Sequence, residues 1–116
     1  MIEARLYLLQ RGSAILLAPL VLIHLGLILY AIGDGLSAAE ILERTRGNLG
    51  WAAFYGLFVL AVAVHAPIGL RNLAREWLAW RGRSVDATTL AFGLVLLALG
   101  LRAVWAVIGV GAGDGA

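Results

Sequence analysis

The chain has no cysteine and no lysine, two prolines and one methionine, and only 14% of its 116 residues are charged. Without cysteine there are no disulfides, no thiolate ligation of a metal and no protein-held iron–sulfur cluster. All nine cations are arginine, which reads as compositional bias of the genome rather than chemistry. The formal net charge of +2 gives no basis for binding nucleic acid. An ordinary soluble domain is about 25% charged and about 45–50% apolar. This chain, 62% hydrophobic, falls outside that class.

What is present is length of apolar run. Three stretches stand out: Gly12–Gly33, Leu49–Leu70 and Ala87–Gly113, the last interrupted only by Arg102. Runs of about 20 apolar residues read as transmembrane helices. The expected architecture is an all-α integral membrane bundle of three transmembrane helices, with spans at about 12–33, 49–70 and 87–110 of a single domain, 1–116. The first span exceeds the apolar core of about 7–15 residues found in cleavable signal peptides, and no A-x-A-like site follows it, so a retained span is expected.

The connections are short. Met1–Arg11 reads as an amphipathic entry. Ile32-Gly33-Asp34-Gly35 closes the first span with turn residues. Ser37 and Glu40 form a capping-box pattern, which predicts a short interfacial helix over Ser37–Arg46. Gly47-Asn48 breaks it. The second helix is expected to run on to about Trp80 and to end at Gly82, with Ser84 or Asp86 capping the third. Arg5, Arg11, Arg71, Arg75, Arg81 and Arg83 lie on one side of the bundle, against Arg44 and Arg46 on the other. Six against two place the N-terminus inside. Trp51, Trp77, Trp80 and Trp105 sit near span ends, as interfacial aromatic belts do.

Two histidines, His24 and His65, fall within the spans. Ionisable groups there are costly and mark working sites. Neutral imidazole is a common metal ligand, and haem iron is often held by an axial histidine. Two readings stay open for each: a haem ligand, or a polar residue bonded to a neighbouring helix. Ala61 and Gly69 flank His65 on its own helix face and would leave room for a flat macrocycle. Leu20, Val21, Leu27 and Ile28 make a bulkier wall around His24. Pro19 and Pro67 each remove a helical N–H, and Pro67 frees a carbonyl near Ala63. Counted along the helices, the two imidazoles are offset by roughly 10 Å in depth, so they do not share one iron. Each would need a partner histidine from another chain or another copy of this one. Arg71 suits a haem propionate or an ordinary inner-surface arginine. Arg102 snorkels to the outer surface or neutralises a propionate of an outer haem. Gly93 and Gly100, two turns apart, predict close helix packing. There is no nucleophile–base pair.

The segment His65-Ala-Pro-Ile-Gly-Leu-Arg71, followed by Glu76-Trp77, resembles the second-helix motif H-x-x-x-G-[IL]-R of the cytochrome b membrane-anchor subunit of succinate dehydrogenase and fumarate reductase. Gln10-Arg11-Gly12-Ser13 is similar to the segment H-R-x-S-G that opens the first helix in that family. The three-span length fits too. Gln10 stands where the family commonly has histidine, and Tyr7 where it often has a quinone-site serine. His24 resembles the first-helix histidine of the larger, five-span anchors that hold two haems.

The resemblance implies a haem b-binding anchor, with one or two haems. His65 and His24 would be the iron ligands, with Arg71 and Arg102 near the haems. Arg11 and Ser13 would lie at a quinone site. An iron–sulfur subunit and a flavoprotein subunit would dock on the inner face of a bacterial cytoplasmic membrane, beside a second membrane anchor or another copy of this chain. The alternatives are a haem b anchor of another membrane oxidoreductase and a cofactor-free structural membrane subunit.

Overall fold

The computed structural model describes residues 2–109, and the end of the third apolar run, beyond Gly109, lies outside them. Four helices follow one another: α1 (Ile2–Gly33), α2 (Ala38–Thr45), α3 (Leu49–Trp77) and α4 (Arg83–Ile108). Three are long and apolar enough to cross a membrane. The short α2 lies between the first two, as the sequence predicts. The bundle is 47 Å along its longest axis, close to the full thickness of a bilayer with its headgroups, about 40–45 Å.

Local chemistry sets most of the boundaries. At the start of α2 the Ser37 hydroxyl accepts from the Glu40 N–H and the Glu40 carboxylate accepts from the Ser37 N–H, a complete capping box. Asn48 caps α3 by accepting from the Trp51 N–H. Gly47 takes φ +68°, which lets the chain reverse between α2 and α3 while its N–H donates to the Ile108 carbonyl.

Three boundaries differ from the expectation. α1 is continuous from Ile2, so the amphipathic entry is the first turns of the span itself. α3 ends at Trp77, short of Trp80. The N–H groups of Leu78 and Trp80 both reach the Ala74 carbonyl, and Ala79 adopts φ +53°, a left-handed stop. α4 begins at Arg83 behind Gly82 with no side-chain cap. Ser84 and Asp86 are occupied elsewhere: Ser84 accepts from the Trp80 indole N–H, and Asp86 from Arg71.

α3 is the middle helix, packed on α4 along one side and on α1 along another, while α2 closes the far end against α4. Thr45 of α2 donates to the Val107 carbonyl at 2.8 Å. The expected close packing at Gly93 and Gly100 is present. A Cβ at position 93 would sit 2.8 Å from the Pro67 ring, and one at position 100 would run into Val59. Most large apolar side chains face outward, among them Leu22, Ile32, Leu90 and Leu99, as suits helices surrounded by lipid or by other membrane chains.

Candidate functional site

One stripe of α1 makes the seam with α3. Leu6, Gln10, Ser13, Leu17, Leu20, His24, Leu27 and Ala31 recur at alternating spacings of four and three, and all are at least partly buried. That spacing keeps one narrow face of a helix turned towards its neighbour. Three polar residues fall on the stripe: Gln10, Ser13 and His24. The stripe is legible in the sequence, and it marks which polar residues of α1 face inward.

His65, midway along α3, meets this seam. Its Nδ1 lies 3.3 Å from the Ser13 hydroxyl oxygen. The same hydroxyl is 3.0 Å from the Gln10 carbonyl one turn back. Nε2 of His65 has no hydrogen-bond partner among the described residues, and it is not among the fully buried polar atoms. On the Gly69 side, the space beside His65 holds the Gln10 side chain of α1. Ala61 is buried, and the Gln10 amide nitrogen lies 3.2 Å from where a Cβ on Gly69 would stand. The Gln10 Oε1 is buried without a partner among the described residues.

His24 sits eleven residues further along the same continuous helix than Ser13, about 16 Å at 1.5 Å per residue. His65 and His24 are therefore at separate levels. The His24 ring meets Phe58 and Tyr55 edge-on, at centroid distances of 5.4 and 5.9 Å. It lines a pocket of about 280 Å³ with Ile41, Thr45, Val104 and Val107. Its Nδ1 is buried with no partner among the described residues. The sequence reading missed both aromatic neighbours, because they come from α3.

Arg71 is buried where three helices converge. Its Nη2 donates to Glu3 at 3.0 Å and its Nε to Asp86 at 2.7 Å, and Arg75 joins at Glu3 with 3.1 Å. Arg71 thus ties the start of α1 and the start of α4 to the end of α3. Two carboxylates, Glu3 and Asp86, pair with it. Its Nη1 is buried without a partner among the described residues. Beside this cluster a polar cleft of about 470 Å³ is lined by Tyr7, Gln10, Asn72, Arg75, Glu76 and Arg81, among others. Tyr7 and Gln10 are the two positions where the first-helix segment departs from the motif it resembles.

Arg11 and Ser13 are not brought together. Two residues apart on a helix, they face different ways. Ser13 is buried in the seam and Arg11 is exposed. Arg102, near the outer end of α4, is exposed and makes no ion pair among the described residues.

The donor set suits a haem at His65 better than a bare metal ion. Among the described residues no three His, Cys, Asp or Glu side chains converge as a metal site. A haem iron takes only its axial ligands from protein, so a single imidazole with one nitrogen free is sufficient. His24 has a pocket beside it. Its pocket lies just below the range of about 300–1,000 Å³ typical of small-ligand sites, and haem is a large ligand.

A family model for the succinate dehydrogenase/fumarate reductase transmembrane subunit matches residues 2–106. The chain belongs to this family. It is thus a multi-pass membrane subunit of the kind found in succinate dehydrogenase and fumarate reductase complexes. No curated protein and no solved structure matches it.

Proposed function

We propose that this family member is a haem b-binding anchor that passes electrons between an iron–sulfur subunit and quinone, in the cytoplasmic membrane of a bacterium. The observation that carries the reading is His65. It lies within a span, in the segment that resembles the family's second-helix motif, with Nδ1 3.3 Å from Ser13 of α1 and Nε2 without a partner among the described residues. Bound haem supplies a one-electron carrier whose potential its axial ligands and surroundings tune. The chain's own part is to bind, orient and exclude water.

His65 offers one axial nitrogen. The second comes from another membrane anchor or a second copy, because His24 stands about 16 Å away along α1. The outward apolar faces of the three long helices keep water from the ligand. At the end of the bundle shared by Glu3, Arg71 and Asp86, the exposed Arg5, Arg81 and Arg83 form the surface on which an iron–sulfur subunit docks, with a flavoprotein subunit beyond it. Quinone is assigned to this end, beside Arg11 and the cleft of Tyr7 and Gln10. The resemblance assigns Ser13 to the same site, and its hydroxyl lies 3.0 Å from the Gln10 carbonyl and 3.3 Å from His65 Nδ1.

The test is a pyridine haemochrome assay with optical spectra of the purified, assembled complex. Wild type is expected to show b-type haem, and His65→Ala to lose the low-spin signal of that haem. An unchanged spectrum in a correctly assembled His65→Ala complex overturns the proposal.

A further inference from the structure

We infer that Ser13 is a positioning residue for His65: its hydroxyl accepts the Nδ1 proton, fixes the imidazole tautomer and leaves Nε2 as the nitrogen available to iron. The inference rests on the reading of His65 as a haem ligand and adds the residue that would prepare it.

The argument is one of proton counting. The Ser13 oxygen has two neighbours, the Gln10 carbonyl at 3.0 Å and His65 Nδ1 at 3.3 Å. A serine hydroxyl carries one proton and can accept as well. A carbonyl can only accept. The Gln10 contact is therefore a hydrogen bond only when Ser13 donates to it. The His65 contact is then a hydrogen bond only when Nδ1–H donates to Ser13. A single assignment satisfies both contacts, a relay from Nδ1–H to the Ser13 hydroxyl to the Gln10 carbonyl. In neutral imidazole one nitrogen carries the proton and the other holds the lone pair. With the proton on Nδ1, the lone pair is on Nε2, the nitrogen with no partner among the described residues.

The seam makes the relay rigid. Ser13 is buried, and Leu17 and Leu20, the next residues along the stripe, are buried behind it. Neither α1 nor the serine can turn away without exposing that stripe. Ligating histidines commonly donate their other ring N–H to a neighbouring acceptor, which orients the ring and raises its basicity. Here that acceptor sits on a different helix, 52 residues earlier in the chain. Ligand geometry is thereby coupled to the docking of α1 on α3.

The experiment compares Ser13→Ala and Ser13→Thr with wild type in the assembled membrane complex. It measures haem retention, the midpoint potential of the haem and its low-spin EPR signal. Loss of an outer acceptor typically weakens metal binding about 10–100-fold. Ser13→Ala is expected to release haem that much more readily, and to shift the potential upward, because a less basic imidazole stabilises ferric iron less. Ser13→Thr keeps a hydroxyl and is expected to restore both. Wild-type haem retention and potential in Ser13→Ala, with haem still lost in His65→Ala, overturn the role of Ser13 alone. Haem that survives His65→Ala overturns the underlying reading as well. A serine that only packs the seam would leave the potential unmoved and would gain nothing from threonine.

Discussion

The Pro67 ring occupies the space that a side chain at position 93 would need. The ring carbon lies 2.8 Å from the Cβ position of Gly93, and the Ala63 carbonyl lies 3.3 Å from it. Ala63 is the residue whose carbonyl loses its helical donor when residue 67 is proline. One substitution therefore opens the α3 backbone and fills the notch in α4. Gly93→Ala is expected to destabilise the bundle by about 1–3 kcal/mol, the usual cost of overpacking. Gly26→Ala, where a Cβ meets nothing, serves as the control and is expected to be neutral or stabilising. Thermal denaturation of the detergent-solubilised complex measures both. Pro67→Ala should offset part of the Gly93→Ala loss, since it removes the ring carbon and returns a donor to Ala63. Strictly additive effects in that double-mutant cycle would refute the coupling.

Arg71 joins three helices through two carboxylates, and arginine suits this because its fork reaches two acceptors at once. Arg71→Met leaves Glu3 and Asp86 without this partner and is expected to lower the melting temperature more than Glu3→Gln or Asp86→Asn. Arg71→Lys should recover little, because one ammonium cannot take both positions. A melting temperature unchanged in Arg71→Met would show that the cluster does not hold the helix ends together.

The spans, the capping box at Ser37 and Glu40, and the packing role of Gly93 and Gly100 were legible in the sequence because each depends on local spacing. The site was legible only in part. His65 is marked by its motif and by its place in a span, but its bond to Ser13 joins residues 52 apart. Arg71 reads in the sequence as a propionate partner or an ordinary inner-surface arginine, and its pairing with Glu3, 68 residues away, is set only by folding. The space read beside Gly69 on α3 alone holds the Gln10 side chain of α1. The four-three stripe of α1 carried enough information to set Ser13 inside and Arg11 outside. Counting faces on α3 alone did not use it.

Arg11 is exposed on α1, two residues before Ser13. Arg11→Ala is expected to cut succinate-driven quinone reduction at least tenfold while sparing reduction of a flavin-linked dye, which bypasses the membrane subunit. Quinone and dye activities that fall together would point to faulty assembly and not to a quinone contact.

His24 gives the sharpest separation between ligand and core residue. Its Nδ1 is buried without a partner among the described residues, and Tyr55 and Phe58 present their edges to its ring. A buried polar atom left unsatisfied costs about 1–3 kcal/mol. Phenylalanine has a similar flat shape, removes that nitrogen and still meets the two aromatic neighbours. His24→Phe is therefore expected to leave the haem content of the assembled complex unchanged and to match or exceed wild type in thermal stability. Haem per complex, counted by pyridine haemochrome against protein, decides the point. If the substitution removes one haem of two, His24 is the ligand of an outer haem. Arg102, exposed near the same end, then becomes the natural counterion for its propionates. If haem is unchanged and stability rises, the second histidine of the spans is a core residue whose polarity the bundle tolerates.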